Sequence, residues 1–309
     1  MPQLIDPPPS PAPIELGDAI AALVALRFDA AEQGAWDAAL PILAGLSANR
    51  RFLGDLAVAA LTTRDDGRHA YGPPVMMLAH GVGPWFLRAN LWPAADDALL
   101  CASGRRAFFY DLPHDHNFSF LTIGHHGPGY ESDGWEVDTP PLGLPGETVA
   151  LRPTGRVRLD RDRMMLYRAH RDVHAQRPPA RFSVSLNLVE SSGRERARSQ
   201  YRYDTDAGRI AGRLDVTAIE GLLPLVAHLG GGEGAGLLDE IAARHPAPRM
   251  RFAAVRALAG SATDVDARVA ILDAAARRDD PLVSTLAARA LGDLPGVLAW
   301  AETGPAAGT

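Results

Sequence analysis

Between Leu16 and Leu61 the apolar residues recur at helical spacing. Leu16, Ile20, Leu23, Val24 and Phe28 are followed by Trp36, Leu40, Leu43 and Leu46, then by Phe52, Leu53, Leu56 and Leu61. Steps of three and four residues gather side chains on one helix face, so two or three short amphipathic helices are predicted, packing on a sheet. From about residue 70 to 190 the period shortens to two. Val75–Leu78, Trp85–Trp92, Phe108–Leu121, Tyr130–Val137, Thr148–Leu151, Arg156–Leu159, Met164–Tyr167 and Phe182–Val189 read as strands between Gly- and Pro-rich turns. Short strands at roughly 8–12-residue spacing predict a sandwich or barrel. Phe182, Val184, Leu186 and Leu188 alternate with Ser183, Ser185 and Asn187, giving that strand one apolar and one polar face. Phe86, Arg88, Asn90 and Trp92 likewise share a face, a substrate wall if it points into a barrel and a helix interface if it points out.

After about residue 215 the helical period returns. Arg251–Leu258 and Ser284–Leu291 are similar, each following a proline (Pro248, Pro281). The pairing of Ala/Leu helices resembles HEAT-type α-repeats. The expected organisation is a Pro-rich disordered lead-in over 1–14, N-terminal helices over 15–64, a β-barrel over 65–212, a HEAT-like helical domain over 213–303 and a frayed tail over 304–309.

Composition narrows the function classes. Thirty-one basic residues stand against 37 acidic ones, a formal charge of -6, so nothing draws the chain as a whole to nucleic acid or anionic lipid. The single cysteine, Cys101, allows neither an internal disulfide nor a thiolate cluster and fits a reducing compartment. Met1 to Pro13 lacks the basic-then-apolar pattern of a leader, and no apolar run approaches the ~20 residues of a membrane span. A soluble cytoplasmic protein is expected, with no nucleic-acid or membrane partner. A second copy of the chain or a protein partner would use the helical domain. No phosphate loop, dinucleotide fingerprint or nucleophile elbow is present.

The candidate chemistry lies in His114-Asp115-His116. Side chains two apart on a strand point the same way, so two imidazoles stand side by side, as a metal site requires. Met164–Tyr167 leads through a turn to His174, a third imidazole. If the chain turns at His126-Gly127, the strand from Phe118 returns antiparallel through Tyr130 to Asp138. Glu136 then stands opposite His116 as the nearest carboxylate, with Asp138 second. A one-residue slip would remove it. His125-His126 reads as a solvated turn. His170-x-Asp172 opens like an iron facial triad, but the later histidines, His228 and His245, lie in helical sequence.

His-x-His at one strand and a lone histidine after a later strand of the same barrel resemble the two-motif metal site of the cupin superfamily, over residues of about 75–190. The resemblance implies an α+β protein built on a jelly-roll barrel. His114, His116 and His174 would hold a divalent transition metal, with Fe(II) expected. The family's Glu after His-x-His is replaced here by Phe120 and Leu121. A carboxylate would therefore come from Glu136, or the site would hold three histidines alone, as in the thiol dioxygenase branch. The implied activity is an O₂-dependent oxygenase or oxidase acting on a small polar metabolite such as an amino acid. Glu136 and Tyr167 are the catalytic candidates, and Arg88, Asn90, Trp92 and Arg181 the substrate-binding ones. A metal-dependent isomerase, epimerase or lyase on the same site, and a metal-free scaffold with a protein-binding helical domain, are the alternatives.

Overall fold

Alternation within the strands decides the architecture. The computed structural model describes residues 2–9, 11–62, 70–72 and 75–303. In chain order they form β1 (Gln3–Ile5), α1 (Leu16–Ala25), α2 (Ala35–Ala48), α3 (Phe52–Thr62), β2 (Ala70–Gly72), β3 (Val75–Ala79), β4 (Trp85–Trp92), α4 (Ala98–Ser103), β5 (Phe120–His126) and β6 (Tyr130–Val137). Then follow β7 (Leu151–Leu159), β8 (Met164–Tyr167), β9 (Asp172–Gln176), β10 (Ser183–Glu190), β11 (Tyr201–Asp204), β12 (Arg209–Arg213), α5 (Ala218–Leu229), α6 (Gly231–Arg244), α7 (Pro248–Ser261), α8 (Val265–Ala276) and α9 (Pro281–Thr303). Seven strands pair in the order β1-β8-β5-β10-β4-β3-β2, and three in the order β7-β6-β9, with antiparallel registers. β11 and β12 pair with each other. The fold is α+β, a two-sheet antiparallel barrel with helices before and after it in the chain.

The described residues of Met1–Pro140, Thr148–Glu195 and Gln200–Gly212 make one compact unit. Its larger sheet has a dry face and a cavity face. Leu87 and Ala89 of β4, Leu121 and Ile123 of β5, Met164 of β8 and Leu186 and Leu188 of β10 pack against Ala19, Leu23, Phe28, Leu43 and Leu46 of the N-terminal helical segment. The alternate residues, among them Trp92, Phe120, Met165, Tyr167 and Val189, form a second cluster with Phe108, Tyr110, Tyr130 and Leu159. Burying one aliphatic side chain at such a face contributes about 1.5–3 kcal/mol, so the helices can stabilise the sheet without touching the cavity.

Residues Pro141–Glu147, Arg196–Ser199 and the described part of Arg213–Thr309 make the second unit. Its core joins Leu223, Leu238, Met250, Val255, Leu272 and Val283 across α5 to α9. The two similar segments open α7 and α9, each with its proline at the helix start, where the missing N–H has no intrahelical acceptor to lose.

Several expectations need correction. Gln3–Ile5, inside the lead-in expected to be disordered, is β1, paired with Met164–Leu166 of β8. Leu4 and Ile5 supply strand-forming sequence between the prolines and the N-terminus. Phe108–Leu121 is not one strand. Arg105–Phe108 is a 3-10 turn, Phe109 and Asp111 have positive φ (58° and 54°), and regular pairing begins at Phe120. Pro113 and the two left-handed residues prevent a continuous ladder. The hairpin expected around His126-Gly127 does not form either. β5 pairs with β8 and β10 in one sheet, and β6 with β7 and β9 in the other, so the chain crosses between sheets there. The boundary at residues 64/65 and the tail from residue 304 lie outside the described residues.

Leu186 is fully buried between helices and sheet. Leu186→Ala is expected to cost about 2–5 kcal/mol. Val82→Ala, at an exposed position, is expected to stay within about 0.5 kcal/mol. Denaturant unfolding of both variants measures the difference.

Candidate metal centre

The segment carrying His114 and His116 is irregular, yet it is held on both sides. His114 N–H donates to His174 O (3.0 Å) and His174 N–H to His114 O (2.9 Å), a reciprocal antiparallel pair. Residues paired this way share a face, so the two imidazoles meet, with ring centroids 4.7 Å apart. Asp115 N–H donates to Tyr201 O (3.1 Å), Tyr203 N–H to Pro113 O (2.8 Å) and His170 N–H to His116 O (2.9 Å). His116 completes the triangle, its ring centroid 4.9 Å from His114 and 5.1 Å from His174. One ligand nitrogen from each of His114, His116 and His174 lies within 4.8 Å of the others. The expected histidine triad is therefore assembled, although the two-apart spacing acts through bridges rather than a strand.

The ring chemistry suits a cation. His114 Nδ1 stands 2.7 Å from Leu112 O; donating there fixes the tautomer and leaves Nε2 as the free donor. His116 Nε2 and His174 Nε2 are 3.1 Å apart. Two nitrogens each about 2.1 Å from one metal stand about 3.0–3.4 Å apart. Burial lowers the pKa of His114 and pushes His116 and His174 well below the ordinary value, the neighbouring imidazoles and Arg88 adding to the shift at His116 and His114 adding to it at His174. The three rings are thus neutral, with lone pairs available. His116 Nδ1 and His174 Nδ1 are buried with no hydrogen-bond partner among the described residues. The residues fit a divalent transition metal of the kind imidazole favours.

His114 and His116 open onto a cavity of about 370 Å³, toward the lower end of small-molecule pockets. Arg88, Asn90 and Trp92 of β4 line it with His114, His116, Phe108, Phe109, Phe118, Phe120, Tyr130, Gln176, Asn187 and Gln200. The polar-aromatic face of β4 thus points inward, as the substrate-wall reading required. Asn187 of β10 joins it, and Ser185 Oγ accepts from Trp92 Nε1 (3.0 Å). Tyr167 is buried, stacked on Phe120 and 4.5 Å from the His174 ring. Burial raises its pKa, so the phenol keeps its proton.

Other candidates lie elsewhere. Glu136 pairs with Asp172, two residues beyond the Gly134–His174 pair, which carries it about 7 Å along the sheet. Its carboxylate meets Arg152 (2.7 Å), Arg168 (3.0 Å) and Arg171 (3.2 Å). Burial alone would raise its pKa, but hydrogen bonds from Arg152 and Arg168 hold it at about 2. Asp138 is exposed beside Arg152. The expected hairpin put both carboxylates next to His116; the actual register takes them away. Arg181 is exposed, just before β10 begins, and does not line the cavity. His125 is buried rather than solvated: its ring packs edge-on against Phe52, 3.3 Å from Ser47 Oγ, and burial lowers its pKa to about 4. Asp172 is gripped by Arg168 and takes no part in a triad. Asp115, on the opposite side as expected, accepts from Tyr201 N–H (2.6 Å) and Tyr203 OH (3.1 Å). Phe118, Gln200 and Gln176 are cavity residues that the sequence reading did not name as site residues, whereas Asn187 lies on the polar face that it marked as able to line the pocket.

The fold and the site define a two-sheet barrel with a cavity and a cluster of three imidazoles that could hold a metal ion. No protein-family model matches the chain, and no curated protein matches it. Among solved structures, it is similar to hydroquinone 1,2-dioxygenase PnpCD in complex with Cd2+ and 4-hydroxybenzonitrile. That match has 12% identity and a TM-score of 0.26, over 41% of this chain and 69% of that one. Salicylate 1,2-dioxygenase from Pseudoaminobacter salicylatoxidans matches at 10% identity and TM-score 0.29, over 50% of this chain and only 36% of its own. DMSP lyase DddQ from Ruegeria pomeroyi matches at 16% identity and TM-score 0.23, over 61% and 77%. At these values the likenesses decide neither reaction nor substrate.

Two outcomes follow. Asp115→Ala removes a buried acceptor from the segment that carries two of the histidines and is expected to destabilise by about 2–4 kcal/mol in denaturant unfolding. For Glu136, the folded-state pKa lies below its ordinary 4.5, so its contribution is present above that pH and is lost as pH falls through about 2. Glu136→Gln is expected to flatten the fall of melting temperature across that window and to leave metal content at neutral pH unchanged. Loss of metal in this variant would restore Glu136 to the site.

Proposed function

We propose that the protein is a mononuclear metal-dependent enzyme, an Fe(II)- and O₂-dependent oxygenase or oxidase of a small molecule held in the barrel cavity. The observation that carries this is the largely buried, neutral cluster of His114, His116 and His174, of which His114 and His116 line the cavity. When bound, the metal supplies a Lewis-acidic, redox-active centre with coordination positions left open by three protein donors.

The chain's own groups define what the cavity accepts. Trp92, Phe108, Phe118, Phe120 and Tyr130 offer aromatic walls, while Arg88, Asn90, Asn187 and Gln200 offer polar ends. Guanidinium favours a carboxylate by its fork geometry. An amino acid with an apolar or aromatic side chain fits both surfaces. Arg88 binds and orients the carboxylate, and the aromatic residues exclude water from the body of the substrate. Tyr167 holds its proton and braces the His174 ring. No helix among the described residues is long and apolar enough to cross a membrane.

Elemental analysis of anaerobically Fe(II)-loaded protein tests the centre. His116→Ala is expected to retain less than about a tenth of wild-type metal, and exposed His126→Ala to retain it all. Equal metal in wild type and a His114→Ala/His116→Ala double variant refutes the reading. An oxygen-electrode screen over free amino acids then decides the reaction. Turnover without oxygen uptake would replace the oxygenase with an isomerase or lyase on the same metal.

A further inference from the structure

Gln176 ends β9 two residues after His174, strand alternation puts both side chains on one face, and Gln176 lines the cavity. Its backbone is fixed from two sides: it pairs with Ser132 of β6, and its carbonyl accepts from Asp111 N–H (2.8 Å). The side chain is 5% exposed. Its Nε2 stands 3.2 Å from His174 Nε2, almost the separation between His116 Nε2 and His174 Nε2, 3.1 Å. Its Oε1 is buried with no hydrogen-bond partner among the described residues.

That orientation conflicts with the rest of the centre. An imidazole nitrogen has one lone pair, and an amide N–H donating to His174 Nε2 would occupy the pair a metal needs. The oxygen and nitrogen of a glutamine amide exchange places by a half-turn of the last torsion, and which atom sits where is decided by its surroundings. Turned over, the carbonyl oxygen takes the position 3.2 Å from His174 Nε2. Oxygen and nitrogen donors about 2.0–2.2 Å from a shared transition metal lie about that far apart.

We propose that Gln176 is the fourth protein ligand of the centre, binding through Oε1 and completing a neutral set of three imidazoles and one amide. This deepens the metalloenzyme reading and rests on it. It also accounts for a centre with no carboxylate: Glu136 is engaged by arginines, and no Asp or Glu lies among the described residues that line the cavity. A neutral ligand set leaves the full charge of a divalent ion facing the cavity beside Arg88, which selects an anionic substrate.

Cobalt(II) titration of the metal-free full-length protein tests the assignment, reading both the dissociation constant and the visible d–d absorption, which follows the coordination shell. Gln176→Leu is expected to weaken binding about 10- to 100-fold and to change the d–d spectrum. Gln176→Glu, isosteric and anionic, is expected to bind at least about tenfold more tightly, and it carries the test should the leucine variant fail to fold. A leucine variant with wild-type affinity and spectrum overturns the proposal while leaving the three-histidine centre intact. A glutamate variant that binds no more tightly than wild type also overturns it. Absence of cobalt binding in the wild type itself overturns both this proposal and the centre, and loss of binding in His116→Ala beside unchanged Gln176→Leu overturns this one alone.

Discussion

Two backbone hydrogen bonds, exchanged between His114 and His174, are the constraint on which the candidate centre depends. The segment from Arg105 to Ser119 has no ladder of its own; it contains a 3-10 turn, two left-handed residues and a proline. Such a stretch would place its side chains poorly if it hung free. It is instead stitched to β9 at His174, to β11 through Asp115 and Pro113, and to His170 through the carbonyl of His116. β9 is in turn an edge strand of the smaller sheet, paired with the central strand β6 along five residues. The imidazoles therefore inherit the rigidity of regular strands although two of them lie outside any, the support a metal site needs to hold its donors in place.

The larger sheet solves a different problem, separating stability from chemistry. β4, β5, β8 and β10 turn one set of side chains to the N-terminal helices and the other to the cavity. The helix-facing set is mainly aliphatic and largely buried. The cavity-facing set can then include Arg88, Asn90, Thr122 and Asn187, polar residues that would be costly in an ordinary core. Thr122 Oγ1 donates to Asn187 Oδ1 at 2.5 Å, so part of this polar face is internally matched. Asn90 Oδ1 and Gln176 Oε1 are not matched by any described residue, and both lie at the cavity.

Much of this was legible in sequence, for physical reasons. Period two marked β3, β4, β6, β8 and β10, and period 3.6 marked the helices, because each element buries one face. The three histidines were found because strand geometry restricts where two-apart side chains point. What failed was pairing. Nothing local in Phe118–Asp138 distinguishes a hairpin from a crossing between two sheets, since both need a Gly-rich corner at Gly127 and Gly129. That single choice misplaced Glu136. His125 read as solvated for the same reason: its partners, Ser47 and Phe52, are contributed by helices some 75 residues earlier. Gln176 carried no signal, because a glutamine is chemically conspicuous only when its neighbours are known.

The neutral state of the triad has a further consequence. Three imidazoles whose ligand nitrogens lie within 4.8 Å of one another would repel one another if protonated, and burial already disfavours the charged form at each. Phe118 and Phe120 pack against the His116 ring, and Phe120 and Tyr167 against the His174 ring. An unpaired buried polar atom costs about 1–3 kcal/mol, and the cluster contains two such nitrogens. Packing alone would be better served by aliphatic residues of the same volume. A convergent set of neutral donors suits a cation, and Glu136, engaged by Arg152, Arg168 and Arg171, stands apart from it on its own patch of the smaller sheet.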